Sequence, residues 1–173
     1  MTDLRFPIGR FTLPGPLAPD ARMRVLSAVS EAPVELRLAV AGLSDEQLDT
    51  PYRPDGWTVR QVVHHLPDSH MNSYMRLKLA LTEERPTIRT FDEARWATLP
   101  DAAGPIDMSL DLLTRLHARW VYLWRRLNDA DWARVMVHPD LGELRIDELL
   151  AFYGWHGRHH IAHITSLRAR KGW

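Results

Sequence analysis

The sequence predicts an all-α fold, a four-helix bundle. Four long segments place apolar residues at helical spacing, and strand signals are confined to a short stretch at residues 136–145. The length of 173 residues suits one domain with a sizeable buried core. We therefore expect a single domain over residues 1–173, in which an extended segment, residues 1–18, precedes the first helix.

The first predicted helix covers about residues 20–42. Pro19 stands just before it, and its apolar residues recur at the spacing of one helix face. Gly42 is expected to end it, because glycine readily adopts the left-handed backbone conformation found at helix ends. Pro33 lies inside the segment and is expected to bend the helix.

The second predicted helix covers about residues 58–84 and carries several histidines. Thr58 is expected to cap its first turn, because a threonine hydroxyl can accept a hydrogen bond from a free backbone N–H there. Pro67 falls inside the segment and lacks the N–H for the bond to residue 63. A kink is therefore expected near Pro67.

The third and fourth predicted helices cover about residues 106–127 and 145–170. The connection between the second and third helices, residues 85–105, is long and rich in proline, with a short helix predicted at 93–98. Connections of this length in compact domains usually line a site or cross one end of a bundle.

Composition excludes several classes of function. The 22 acidic and 22 basic residues balance, and the pI is near 7.2, so no charge field attracts nucleic acid or an anionic membrane. The absence of cysteine excludes disulfides and thiolate zinc sites. Residues 1–16 lack the pattern of a secretion signal, and no stretch has the apolar length of a membrane span. We expect a cytoplasmic protein.

A dense histidine cluster lies in the last predicted helix, where residues 155–163 hold four of the nine histidines. His156 and His160 are four residues apart and share one helix face, a spacing that lets two imidazoles bind one divalent ion. On a helical wheel centred on Leu149 they lie within about 20° of the buried direction. His159 and His163 lie about 80° and 40° from it, towards the flank.

The alternative interpretation is structural, with each histidine satisfied by a hydrogen bond. A buried pair without a metal would leave imidazole nitrogens without partners, at about 1–3 kcal/mol each. The spacing alone leaves both interpretations open. A zinc peptidase is not indicated, because Gly157 stands where the motif H-E-x-x-H requires its glutamate.

A third ligand must come from another helix, and the candidates are His64, His65 and His70. On the wheel His70 shares the core direction of the second helix, whereas His65 lies more than about 100° from it. His65 instead shares a polar flank that would suit the wall of a pocket. That flank consists of Ser69, Asn72 and Arg76. Residue patterns therefore leave His65 and His70 as alternatives.

Several motifs resemble known families. Trp57-Thr58, His65-Leu66 and the pair His156 and His160 resemble the DinB-like metal-binding four-helix bundles. Longer blocks resemble the YfiT family, whose members are inferred to be metal-dependent hydrolases, and the likeness covers nearly the whole chain. These blocks are residues 7–9, 49–53, 56–66, 68–74 and 159–164.

The resemblance implies one divalent ion per chain, Zn²⁺ or Ni²⁺, held by His65, His156 and His160. It favours His65 over His70, against the wheel. It also implies a cytoplasmic homodimer. Pro67 is a departure, since an ordinary helix former is expected within that block, and it places the local helix geometry in question.

Three neutral imidazoles with an open fourth position form a catalytic zinc pattern, in which bound water is activated near neutral pH. This pattern favours a zinc-dependent hydrolase acting on a small molecule. The alternative is an S-transferase that uses a low-molecular-weight thiol, because zinc also binds thiolate. A third hypothesis is a bundle that binds metal or a small ligand without catalysis.

The sequence identifies no firm general acid or base. The candidates for proton transfer or support of the site each have a structural role as their alternative; they are Asp68, His70, His159 and His163. Asn72 and Arg76 are candidates for orienting a polar substrate, with surface hydrogen bonding as the alternative.

Overall fold

A computed structural model describes residues 3–173. The four long helices are α1 (Pro19–Val40), α3 (Val59–Thr82), α5 (Ile106–Trp124) and α7 (Ile146–Lys171). The shorter elements are α2 (Asp45–Leu48), α4 (Glu93–Trp96), a 3₁₀ turn (Pro100–Ala103), α6 (Asp129–Ala133), β1 (Val135–His138) and β2 (Gly142–Arg145). None of the helices in the described range is long and apolar enough to cross a membrane.

The long helices form the predicted four-helix bundle. Both α1 and α3 pack against α5 and α7. This arrangement places α1 opposite α3, although they are consecutive long helices, and places α5 opposite α7. As a result, α3 and α7 are direct neighbours, and this contact brings their histidines together.

Local sequence signals set the helix ends. Thr58 caps α3 as predicted, because its hydroxyl accepts from the Gln61 N–H at 3.1 Å while the Gln61 amide oxygen accepts from the Thr58 N–H at 2.9 Å. Gly42 follows α1 with a φ of 75°, the left-handed conformation that favours glycine. α5 ends before the predicted residue 127, because Asn128 caps the separate helix α6.

The two internal prolines do not interrupt their helices. α1 is continuous through Pro33, and α3 is continuous through Pro67. Both prolines are buried. A bend of either helix axis stays a prediction.

The buried apolar residues form two clusters, one towards each end of the bundle. The first cluster includes Val29, Leu77, Trp120 and Leu149. The second cluster includes Leu36, Leu66, Leu113 and Ile164. On α5 and α7 the buried histidines lie between the positions that feed these two clusters, and so does His70 on α3. The bundle therefore contains a polar layer between two apolar ones.

The short strand pairing predicted within residues 136–145 is present. β1 and β2 are antiparallel, with Met136 opposite Leu144, and both side chains are buried in the first apolar cluster. The connection after α3 runs beside β1, because the Ile88 N–H donates to the Val137 carbonyl at 3.0 Å. The hairpin and the connection thereby cover one side of the bundle.

The segment before α1 lies along α7 without forming a helix or strand over residues 3–18. Residues 1 and 2 of the extended segment predicted for 1–18 lie outside the described range. The Leu17 N–H donates to the buried carboxylate of Asp147 at 3.0 Å, and the Arg5 carbonyl bonds to the Nε2 atom of His163 at 3.1 Å. The segment thus crosses the histidine-bearing face of the last helix.

Candidate metal centre

Three buried histidines converge where α3 packs on α7. One ring nitrogen from each of His65, His156 and His160 lies within 4.8 Å of the other two. The Nε2 atoms of His65 and His156 are 3.4 Å apart. We call these residues the histidine triad. They are the three residues to which the family resemblance points.

The triad fits a divalent ion. Tetrahedral zinc binds imidazole nitrogen at about 2.0–2.1 Å, which separates two such nitrogens by about 3.4 Å. The Nε2 separation between His65 and His156 agrees with this value. The Nδ1 atom of His160 is buried and has no hydrogen-bond partner within residues 3–173. A donor set of three imidazoles suits zinc and nickel.

Burial keeps the triad neutral. Loss of hydration, with repulsion from His159, lowers the pKa of His65 to about 4. Burial also lowers the pKa values of His156 and His160 well below the ordinary value, and neighbouring histidines lower them further. At neutral pH all three rings therefore carry a lone pair, the form that a metal requires.

The helical wheel was wrong about His65. Its side chain is only 5% exposed, and its ring packs 4.7 Å from the ring of Trp57. The wheel assumed a single core direction for α3, but α3 packs against two helices, α5 and α7. Its buried arc is therefore wider than one stripe.

A chain of hydrogen bonds lies behind His156. Its Nδ1 atom is 3.1 Å from His70 Nε2, and His70 Nδ1 is 2.7 Å from His117 Nε2. The chain ends at the Val29 carbonyl oxygen, 2.6 Å from His117 Nδ1. Both supporting histidines are buried, and burial lowers the pKa of His117 to about 4.

The carbonyl at the end of this chain determines every proton position in it. The Val29 oxygen can only accept, so His117 Nδ1 carries the proton and His117 Nε2 accepts. His70 must then donate from Nδ1 and accept at Nε2. His156 in turn donates from Nδ1, which leaves its Nε2 lone pair free for a metal.

The other candidates for the third ligand are occupied elsewhere. His64 makes two hydrogen bonds, at 2.7 Å to the Ser109 hydroxyl and at 3.0 Å to the Gly104 carbonyl. It therefore ties α3 to α5 and to the connection. Both ring nitrogens of His70 are also bonded, so His70 supports the site from behind.

His159 and His163 flank the triad. The His163 ring stacks on Tyr52 at 4.0 Å and anchors the segment before α1 through its bond to Arg5. The His159 ring stacks on Trp155 at 4.3 Å. The wheel placed both on the flank, but both are buried. The N-terminal segment and the aromatic rings cover that flank.

Two cavities adjoin the site. The triad cavity, of about 470 Å³, is lined by His156 and His160 and bordered by Trp57. The hairpin cavity, of about 400 Å³, lies between the N-terminal segment, the connection, the hairpin and α7. Glu93 and Phe152 line both cavities. A ligand anchored in the hairpin cavity can therefore extend towards the triad.

The remaining candidate residues on α3 differ in whether they line a cavity. Burial and repulsion from Asp101 raise the pKa of Asp68 to about 6, but Asp68 lines neither cavity. The Asn72 amide donates to the Asp68 carbonyl of its own helix. Ser69 and Arg76, in contrast, line the hairpin cavity.

Two residues of interest were not singled out from the sequence. His117 occupies a core position of α5, between Leu113 and Trp120, and only this placement on an apolar stripe could have indicated it. Glu93 belongs to the long connection, whose length was the only signal. Burial raises the pKa of Glu93, and Arg76 opposes that shift.

Comparison with known proteins agrees with this fold. Residues 28–164 match the model of the DinB superfamily. Proteins named "Putative metal-dependent hydrolase" from Bacillus mycoides strain KBAB4 and Bacillus cereus strain AH820 are each 51% identical to this chain over the full length of both proteins.

A solved structure is also similar to this chain over nearly its whole length. YfiT from Bacillus subtilis, described as "a probable metal-dependent hydrolase with an unusual four-helix bundle topology", superimposes with a TM-score of 0.96. It is 47% identical, and the match covers 98% of each chain. The chain therefore belongs to the DinB superfamily and, within it, to the YfiT family.

Proposed function

We propose that this chain is a zinc-dependent hydrolase of a small-molecule substrate, with His65, His156 and His160 holding one ion per chain. The observation that carries the proposal is the convergence of three neutral, buried imidazoles beside a cavity of about 470 Å³. The names of the relatives agree with it. His65, His156 and His160 would hold the ion, which would supply Lewis-acid activation of water for hydrolysis.

The chain's own residues have separable tasks. His70 and His117 orient the ring of His156 and hold its proton on Nδ1. Phe6 and Trp57 border the triad cavity and restrict the access of water. We assign proton transfer to Glu93, because this carboxylate lines both cavities.

Two further parts of the proposal come from the family resemblance. They are a cytoplasmic location and a homodimer. We name zinc because three imidazoles with an open position are typical of catalytic zinc, and nickel suits the same donor set.

Elemental analysis of protein purified without a metal-affinity tag tests the site. We expect about one divalent ion per chain in the wild type and a loss of most of it in His156→Ala. The matched control is His159→Gln, on the same helix but outside the triad, which should retain the ion. A wild-type content far below one ion, unchanged by His156→Ala, would refute the site.

Turnover assays separate the reaction types. Ester, amide and electrophilic substrates are compared with and without an added low-molecular-weight thiol. Hydrolysis without thiol supports the proposal, whereas strict dependence on thiol replaces it with the S-transferase. Metal-loaded protein that is inactive on every substrate class supports a non-enzymatic binding bundle.

A further inference from the structure

The hairpin cavity has an apolar wall and a polar floor. The apolar lining consists of Phe11, Leu13, Leu141, Leu144, Leu149 and Phe152. The Phe11 and Phe152 rings meet edge to face, 5.2 Å apart. The volume of about 400 Å³ lies within the range of small-molecule sites, in which apolar walls surround a few polar groups.

Arg76 is the cation of this cavity, and it has no ion-pair partner. Its side chain is half-buried, and one terminal nitrogen donates to the Arg89 carbonyl at 2.9 Å. Its Nε atom is buried without a hydrogen-bond partner in the described range. No carboxylate of residues 3–173 forms a salt bridge with it. This charge therefore lacks compensation by an ion pair within residues 3–173.

The acidic groups nearby do not supply that compensation. Glu93 and Asp140 also line the cavity, but neither lies within ion-pair distance of Arg76, and Asp140 lies 3.9 Å from the Nδ1 atom of His138. Arg76 opposes the rise in the pKa of Glu93 without contacting it as an ion pair. The presence of two acids in the same cavity also disfavours a dianion as the missing partner.

We propose that the hairpin cavity binds a carboxylate-bearing substrate with an apolar body, whose carboxylate pairs with Arg76. The planar guanidinium matches a carboxylate through two parallel hydrogen bonds, and the apolar wall covers the body of the molecule. The shared border at Glu93 and Phe152 then directs the reacting end towards the triad. This inference rests on the proposed function, because it names the class of substrate for the same site.

The test uses two matched probes, 4-phenylbutyrate and its uncharged amide, 4-phenylbutyramide. Their binding to the protein as purified is measured by titration calorimetry. We expect the carboxylate to bind at least tenfold more tightly than the amide. Arg76→Gln should abolish this difference, whereas Arg126→Gln, which removes an exposed arginine stacked on Tyr122, should preserve it. Equal binding of both probes to the wild type would overturn the proposal, even if Arg76→Gln fails to fold.

A second arm distinguishes this site from a metal that captures the carboxylate. In His156→Ala the preference for the carboxylate probe should persist, because Arg76 provides the anchor. Loss of the preference in folded His156→Ala would show that the carboxylate of the probe binds the metal ion instead of Arg76, and would overturn the proposal. Metal content is measured separately. If the wild type binds metal but shows no preference for the carboxylate, only the proposed substrate site in the hairpin cavity is refuted. If it shows the preference but binds no metal, the proposed zinc-dependent hydrolase function is refuted.

Discussion

The triad and the hairpin cavity are neighbours, but different parts of the chain build them. The triad stands on two long helices, and the ring of its His156 is held through His70 and His117 by the Val29 carbonyl of a third helix. The hairpin cavity takes most of its wall from the N-terminal segment, the connection and the hairpin. Loop walls can change without repacking the bundle. The comparison indicates that the helices provide the triad and Arg76, whereas the loops provide most of the apolar wall of the cavity.

The two regions also differ in charge. Burial holds the triad histidines neutral, whereas the hairpin cavity is bordered by the guanidinium of Arg76. The triad region should therefore respond strongly to acid, because protonation of its buried histidines is unfavourable. Three experiments test this contrast, in order of decreasing expected effect.

Acidification should destabilise the protein through its buried histidines. His117 has a folded pKa of about 4, below its ordinary value of 6.5, so the unfolded chain binds more protons between these values. The free energy of unfolding should therefore fall as pH falls. His117 alone should contribute about 2 kcal/mol between pH 7 and pH 5, and the other buried histidines should add to it.

Urea unfolding of metal-free protein at pH 7 and pH 5 measures this effect. His117→Gln should lose about 2 kcal/mol less than the wild type between the two pH values. Arg119→Gln, at an exposed position of the same helix, serves as the control and should match the wild type. An unchanged pH dependence in His117→Gln would contradict the assignment.

Breaking the hydrogen-bond chain should weaken metal binding. His117→Phe removes the group that holds the proton of His70 on Nδ1, and His156 then loses its preferred tautomer. We expect metal affinity to fall by about 10–100-fold, measured by competition with a chelator of known affinity.

The conservative variant provides the control. In His117→Gln an amide can donate to the Val29 carbonyl and accept from His70, so part of the affinity should return. Nitrogen-15 spectra of the histidine rings should show His156 protonated on Nδ1 in the wild type and a mixture of tautomers in His117→Phe. Unchanged metal affinity in His117→Phe would contradict the role of His70 and His117 in orienting His156.

Changes on the loop side should leave the bundle and the triad intact. Leu141 lies at the hairpin tip and is 58% exposed, so Leu141→Ala should change the free energy of unfolding by less than about 0.5 kcal/mol. Metal content should not change. The matched control is Leu144→Ala, at a buried position of the same hairpin, which should cost about 2–5 kcal/mol. A loss of metal in Leu141→Ala would refute the separation of the two regions.

Most of the fold could be predicted from local patterns. The four long helices, the Thr58 cap, the end of the first helix at Gly42 and the pairing near residue 140 all depend on neighbours within a few positions. The third helix ended earlier than predicted, because the Asn128 cap was not recognised. Propensity and capping act over one or two turns, so sequence analysis can detect them.

The site could be predicted only in part. His156 and His160 emerge from helical spacing, since both stand on one helix four residues apart. The wheel failed for His65, and only the family resemblance favoured it. His117 and Glu93 were not recognised, because neither forms a local motif with the residues that it supports.

Local sequence patterns specify where the helices lie, place His156 and His160 on one face of the last helix, and exclude a cysteine ligand. Helix packing brings His65 to them, since 91 positions separate His65 from His156. Packing also sets the proton of His156, through a chain of hydrogen bonds that ends at Val29, 88 positions from His117. Such contacts depend on which helices become neighbours, and helical periodicity carries no information about that choice.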